Sequence, residues 1–365
     1  MKNISELRQD IVAGDWVVVA TGRARRPNEF ARHRVIERHQ PRSSCPFEKL
    51  LPQALLVYDR SGKRLRLTPL EASRRRRLPR VPRGLLTGLT PQDRAYLQKN
   101  WWLQVVPNRY PAFGRGVCAV ERKIGPYRWQ DGVGFHEVVI TRDHRRSIAD
   151  MTVPEVQAIL RSYRDRYLEL KEEDCIQYIS IFHNHGREAG ATISHPHSQI
   201  IAIPVIPPDV ARSIRGSAIY FGNNRTCVHC AVLRQERANG RRIVYRNRQF
   251  LAFCPFASRQ AFEVRIFPLQ HRSEFETASD AVISALADAL RVVLAKLSRG
   301  LKRPAYNFFI HTAPVSSVGL ARYYHWHIEI LPKTAVWAGL EIGTGIEIST
   351  IAPESAAQFL RKIKV

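Results

Sequence analysis

The sequence predicts an α+β fold of two similar halves, about residues 1–205 and 206–365, each an antiparallel sheet with flanking helices. Three observations carry this expectation. The first is an internal order that occurs twice: strand, histidine, amphipathic helix, strand, then a His-x-His strand. In the first copy His144 and His195 stand 51 residues apart, and in the second His271 and His325 stand 54 apart. A recurrence of this length and order is the mark of a duplicated structural unit. The second is the period of the apolar residues. Val156, Ile159, Leu160, Tyr163, Tyr167 and Leu170 trace one helical face, and Ile283, Leu286, Leu290, Val293 and Leu297 trace another. The third is a set of short β-rich runs before and after each helix, at 134–141, 177–182, 262–269 and 306–311.

Taken in order, Gly14-Asp15 and the alternating segment that follows predict a hairpin. Thr90-Pro91-Gln92-Asp93 opens a short helix, and Thr152-Val153-Pro154-Glu155 is a capping box with Pro early in the helix. Residues 51–100 are basic, proline-dotted and weakly periodic, and read as insertion and connecting strands. The chain then reaches Asn184-His185-Gly186-Arg187-Glu188-Ala189-Gly190-Ala191-Thr192-Ile193-Ser194-His195-Pro196-His197-Ser198-Gln199. Here a glycine loop feeds a strand on which His195, His197 and Gln199 share one face by period-two spacing. Pro196 lacks a ladder donor, which predicts an edge or a bulge at this point. Gly186 and Gly190 permit positive φ and close approach of a ligand to backbone N–H groups. A satisfied pair of structural histidines would fit the spacing alone.

The composition excludes several classes. At 365 residues and 44% hydrophobic content the chain can bury a sizeable core. No apolar run approaches the ~20 residues of a membrane span, and the polar N-terminus lacks a signal-peptide core. Six cysteines, two in Cys227-x-x-Cys230, point to metal binding in a reducing, cytoplasmic compartment and not to a disulfide scaffold. Cys118, Cys175 and Cys254 have no matching partners and read as small apolar fillers. With 57 basic and 32 acidic residues the formal charge is +25, which reads first as a solvated basic surface and second as a preference for anionic partners. No aromatic-interleaved RNA-binding motif accompanies that charge, so nucleic acid is not the expected partner.

The pattern Gly-x-x-x-Gly-x-[Thr/Ser]-x-x-His-Pro-His-[Gly/Ser]-Gln resembles the active-site signature of galactose-1-phosphate uridylyltransferases, nucleotidyltransferases of the histidine-triad superfamily. The resemblance runs from about Arg8 to the C-terminus. It implies two tandem histidine-triad-like domains, a homodimer, and transfer of a nucleoside monophosphate between a nucleoside diphosphate sugar and a sugar 1-phosphate. His197 becomes the nucleophile, since neutral imidazole attacks phosphorus readily. Gln199, Asn184, Thr192 and the Gly190 loop are implied for phosphate stabilisation. Arg23 and Arg26 match the family's arginine loop, and Asn108 matches its Asn that contacts phosphate or ribose. Glu341, in a segment resembling the bacterial sugar-binding segment, is implied for the hexose.

The repeat and the family together sort the remaining histidines. Cys227, Cys230, His271 and His325 form a full tetrahedral zinc set, structural by resemblance to two-zinc members. The first-half counterpart is Cys45, Glu48, His144 and His195, with Glu48 where the family usually has a second cysteine; zinc accepts a carboxylate oxygen. The second half has Glu329 in place of Gln199, and an anion there repels phosphate, so only the first half should be catalytic. Uridylyl transfer from UDP-glucose to galactose 1-phosphate is the expected reaction. The alternatives are an ADP-sugar phosphorylase of the same fold and, from a different class, a nucleic-acid-binding protein with a relic triad.

Overall fold

The computed structural model describes residues 5–20, 22, 40–65, 90–118, 120–316 and 319–365. Arg23 and Arg26 lie outside the described residues.

The expected hairpin is present: β1 (Glu6–Gln9) pairs antiparallel with β2 (Trp16–Val19). The turn closes because Asp10 Oδ1 accepts the Val12 and Ala13 N–H groups and Gly14 takes φ +81°. There follow β3 (Leu56–Tyr58), α1 (Pro91–Asn100), β4 (Leu103–Pro107), and the small hairpin β5 (Arg122–Ile124) and β6 (Tyr127–Trp129). The Thr90 hydroxyl accepts the Asp93 N–H and caps α1, as the Thr-Pro start predicts. Next come β7 (Phe135–Thr141), α2 (Val153–Leu170), β8 (Tyr178–His185) and β9 (His197–Ile203).

The second half starts with α3 (Pro208–Asn224) and α4 (Val228–Asn239). It continues with β10 (Ile243–Arg246), β11 (Phe250–Phe253), β12 (Val264–Pro268), α5 (Asp280–Gly300), β13 (Tyr306–His311) and β14 (His327–Pro332). It ends with α6 (Gly339–Thr344), β15 (Glu347–Ser349) and α7 (Pro353–Lys362). Among the described residues no helix is long and apolar enough to cross a membrane.

Ten strands make one antiparallel sheet in the order β10-β11-β12-β14-β13-β8-β9-β7-β4-β3. Read outward from the β13–β8 seam, the order β8-β9-β7-β4-β3 repeats as β13-β14-β12-β11-β10. The two copies therefore join edge to edge, and each edge that would invite unwanted pairing is covered by the other. One face carries α2 and α5, whose predicted apolar stripes meet in a single core around Tyr163, Tyr167, Leu286, Leu290 and Val293. On the opposite face the first half is covered by a smaller cluster that includes Phe47, Trp101, Val106, Val138 and Ile140.

Over the second half lies the β1–β2 hairpin, which pairs with β15 in a separate three-stranded sheet. A side chain on Gly216 of α3 would meet the Val12 carbonyl oxygen at 1.8 Å, so glycine is what lets this hairpin seat.

Two expectations need correction. Pro196 is at neither an edge nor a bulge: β9 runs centrally between β8 and β7, and its ladder starts at His197, one residue beyond the proline. The missing proline donor therefore costs the sheet nothing. Cys118 and Cys175 are not apolar fillers but form a disulfide, with Cα atoms 5.5 Å apart across 57 residues of sequence. The loop after β4 folds back over the approach to β8, a proximity no local spacing reveals. Cys254 is a buried free thiol, as expected.

Candidate active site and metal centres

The chain leaves β8 through Gly186 (φ +82°), makes one 3-10 turn over Arg187–Ala189, and turns again at Gly190 (φ +87°). A Cβ on Gly186 would come within 2.7 Å of the Ala305 side chain, so only glycine passes. The loop's own carbonyls take its N–H groups: Gly190 donates to Arg187 O, and Ala189 and Ala191 both donate to Gly186 O. The Gly190 N–H is thus engaged within the loop, contrary to the expectation that it faces phosphate. Thr192 is exposed on the same loop.

His197 opens β9 half-buried, its ring edge-on to Phe47 at 5.3 Å. Its Nδ1 lies 2.9 Å from the His195 carbonyl oxygen. A carbonyl only accepts, so Nδ1 carries the proton and Nε2 keeps its lone pair. Burial holds the His197 pKa below its usual value, although the bond to the His195 carbonyl opposes this. The ring is a neutral base with a defined nucleophilic nitrogen.

Gln199, two residues on, accepts from His136 Nε2 at 2.7 Å. Asn108 Oδ1 accepts the Tyr110 N–H, and Asn108 Nδ2 lies 3.0 Å from the same His136 nitrogen. Asn184 Oδ1 accepts from Asn307 Nδ2 at 2.8 Å, and Asn307 also donates to the Ala189 carbonyl. His136 thus ties Gln199 to Asn108, while Asn184, on the neighbouring strand β8, is tied to Asn307. Glu341 stands apart: it is the half-buried residue of the otherwise exposed α6, where its carboxylate accepts the Ala338 N–H and caps its own helix.

The sequence reading missed His136, Asn307 and Phe47. His136 is visible only as a period-two neighbour of Val138 and Ile140 on β7. Asn307 pairs with Asn184 across the seam, which no spacing within either half foretells.

The structure also brings both predicted ligand sets together. The donor atoms of Cys45, Glu48, His144 and His195 all lie within 4.8 Å of one another. His144 Nε2 donates to Gln40 O and His195 Nε2 to Thr141 O, each at 2.7 Å. Both Nδ1 atoms are thereby turned toward the Cys45 sulfur and the Glu48 carboxylate, which His144 Nδ1 contacts directly. A shared proton or a metal cation would satisfy a ring nitrogen facing a carboxylate, and outer carbonyls that orient the imidazoles fit a zinc site.

The second set, Cys227, Cys230, His271 and His325, is as compact. His271 Nε2 donates to Ala321 O, which turns its Nδ1 to within 3.2 Å of Cys230 Sγ. A hydrogen bond from Cys230 drives the Cys227 thiol strongly down toward thiolate, the ligating form. Both donor sets fit zinc.

The second-half counterpart of the catalytic strand differs in chemistry. His311, His327 and Glu329 cluster there, with His311 Nε2 3.2 Å from Glu329. Arg265, at the β12 position paired with Glu329, sits among Glu263, Glu329 and Asp10. An internal ion network under the hairpin occupies the place where the first half has Val138 and Gln199.

Comparison with known proteins agrees with this architecture. Residues 89–207 match the family described as galactose-1-phosphate uridyl transferase, N-terminal domain. ADP-glucose phosphorylase of Arabidopsis thaliana is 31% identical over 364 residues, covering 99% of this chain and 93% of that protein. Galactose-1-phosphate uridylyltransferase of Thermotoga maritima is 32% identical over 278 residues, covering 74% and 87%. The crystal structure of the Arabidopsis ADP-glucose phosphorylase with bound ADP-glucose superposes with a TM-score of 0.75 at 29% identity, covering 99% of this chain and all of that one. With two linked His-x-His halves and a relative matched over almost its whole length, the chain belongs to the galactose-1-phosphate uridylyltransferase family of nucleotidyltransferases.

Proposed function

We propose that this chain moves a nucleoside monophosphate from a nucleoside diphosphate sugar to an acceptor phosphate through a covalent nucleotidyl-His197. The observation that carries the reading is the His197 tautomer. Nδ1–H is held by the His195 carbonyl, Nε2 is bare, and burial keeps the ring unprotonated. In the first half-reaction Nε2 forms a bond to the α-phosphorus, the bond to the bridging oxygen breaks, and a sugar 1-phosphate leaves with that oxygen. In the second, an oxygen of a sugar 1-phosphate or of inorganic phosphate attacks, the P–N bond breaks, and His197 returns to its starting state.

Asn184, its amide oriented by Asn307, and Gln199 would meet the non-bridging oxygens, where charge must be neutralised. Arg23, Arg26, Thr192 and Asn108 complete the proposed nucleotide and phosphate contacts. Zinc held by Cys45, Glu48, His144 and His195, and by Cys227, Cys230, His271 and His325, would supply rigidity and no chemistry. His195 thereby anchors the start of the strand that carries His197. A hexose contact is proposed for Glu341 through the carboxylate oxygen that the α6 cap leaves uncommitted.

For the donor we favour ADP-glucose with inorganic phosphate as acceptor. The support is the Arabidopsis ADP-glucose phosphorylase, matched across 99% of this chain, C-terminal segment included. UDP-glucose with galactose 1-phosphate is the second reading, supported by the Thermotoga enzyme over 74%. Incubation with ADP-glucose and UDP-glucose, each labelled at the α-phosphorus, tests both. Label should enter the wild-type protein from one donor and be absent from His197→Gly. Labelling of the His197→Gly protein would refute the nucleophile.

A further inference from the structure

We infer that His136 is the positioning residue that aims the Gln199 amide; this rests on the nucleotidyl-transfer reading above. The argument begins with a proton count. His136 Nδ1 lies 3.1 Å from the Ala112 backbone nitrogen, which can only donate. Nδ1 therefore accepts, and the ring proton must sit on Nε2. Nε2 has two neighbours, Gln199 Oε1 at 2.7 Å and Asn108 Nδ2 at 3.0 Å. Asn108 cannot present its oxygen instead, because Oδ1 is held by the Tyr110 N–H. Among the described residues Gln199 Oε1 is the one acceptor hydrogen-bonded to Nε2, and it takes the proton.

A glutamine held by its oxygen has one free branch left, the NH2. Gln199 shares the face of His197 by period two, so this branch is a donor on the nucleophile's side of the sheet. Without His136 the amide could turn over and offer its carbonyl to a phosphate, which repels. The contact is diagonal between neighbouring strands, since His136 pairs with Ile201 and Gln199 with Val138. Long side chains bridge such positions.

The second half is an internal control. Its positions equivalent to His136 and Gln199 are Glu263 and Glu329, and both are buried beside Arg265. The His–Gln pair and its carboxylate replacement thus go together, as they should if the two residues work as a unit.

The test is single-turnover labelling of the full-length protein by ADP-glucose carrying label at the α-phosphorus. Loss of one donor that stabilises developing negative charge slows a reaction about 100- to 1000-fold, which sets the expectation for Gln199→Ala. His136→Leu should slow labelling about 10- to 100-fold, with little change in the half-saturating ADP-glucose concentration. The double variant should be no slower than Gln199→Ala alone, because residues acting as a unit are not additive. His136→Gln, which keeps a donor near the Nε2 position, should recover to within about 10-fold of wild type. His136→Asn, whose shorter amide mimics Nδ1, should not, and this pair decides the matter if His136→Leu fails to fold. Wild-type rates in His136→Leu, or equal rates in His136→Gln and His136→Asn, would overturn the inference while leaving nucleotidyl transfer intact. A wild-type protein labelled by neither ADP-glucose nor UDP-glucose would overturn both.

Discussion

Replacing Arg265 by valine, the residue at the equivalent first-half position 138, tests whether the second half is held by an internal ion network. The Arg265 side chain is 13% exposed, with Nη1 3.0 Å from Asp10, Nε 2.9 Å from Glu263 and Nε 3.8 Å from Glu329. Glu329 Oε1 is buried and has no hydrogen-bond partner among the described residues. Removing one partner of a buried pair costs about 3–5 kcal/mol, mostly as the desolvation of the charge left behind. Asp10 keeps two backbone donors, so the penalty falls mainly on Glu263 and Glu329. Arg265→Val should thus lose about 3–5 kcal/mol at pH 8.

The pH dependence has a definite sign. Burial raises Glu263 to about 8 even with Arg265 in place, and burial would raise Glu329 once Arg265 no longer holds it down. In the variant both therefore titrate above their unfolded value of 4.5, and stability falls as pH rises. The deficit should shrink at pH 5. Arg265→Val/Glu329→Gln restores the first-half pair and should recover at least about half of the loss. Urea unfolding followed by circular dichroism at pH 5 and pH 8 measures both. An Arg265→Val protein within about 1 kcal/mol of wild type at pH 8, or a double variant no better than the single, would refute the reasoning.

Three further outcomes are expected. Glu48→Cys replaces a hard oxygen with a thiolate, so the first site should hold zinc longer against a chelator and raise Tm, with turnover little changed; metal analysis during chelation reads this. Burial pushes the Glu276 carboxyl up to about 7, above its unfolded 4.5, so this residue withdraws stability as pH rises from 4.5 through 7. Glu276→Gln should accordingly gain on wild type between pH 5 and pH 8, by up to about 3 kcal/mol, in unfolding titrations across that range. Cys118→Ser opens a loop of 57 residues and should cost up to about 4 kcal/mol. The same loss should appear in wild type under thiol reductant, measured against the variant so that effects on the zinc thiolates cancel.

What the sequence determined by itself was everything written in short-range periods. The helical stripe from Val156 to Leu170, the capping box at Thr152 and Glu155, and the alternation through His197 and Gln199 are set by backbone geometry within a few residues. The two metal sets were legible for a related reason: the repeat supplies each histidine's partner by analogy with the other copy. Only the tertiary structure could decide how the copies meet, because β13 pairing with β8 depends on which edges are left open. That seam alone puts Asn307 against Asn184. Register then decides that His136 reaches Gln199, that Ala112 sets the His136 tautomer, and that the Gly190 N–H is taken by Arg187. The Cys118–Cys175 bond depends on a loop folding back over 57 residues. Hydrogen-bond partners across strands are long-range choices, and a periodic pattern names the face of a strand without naming its neighbour.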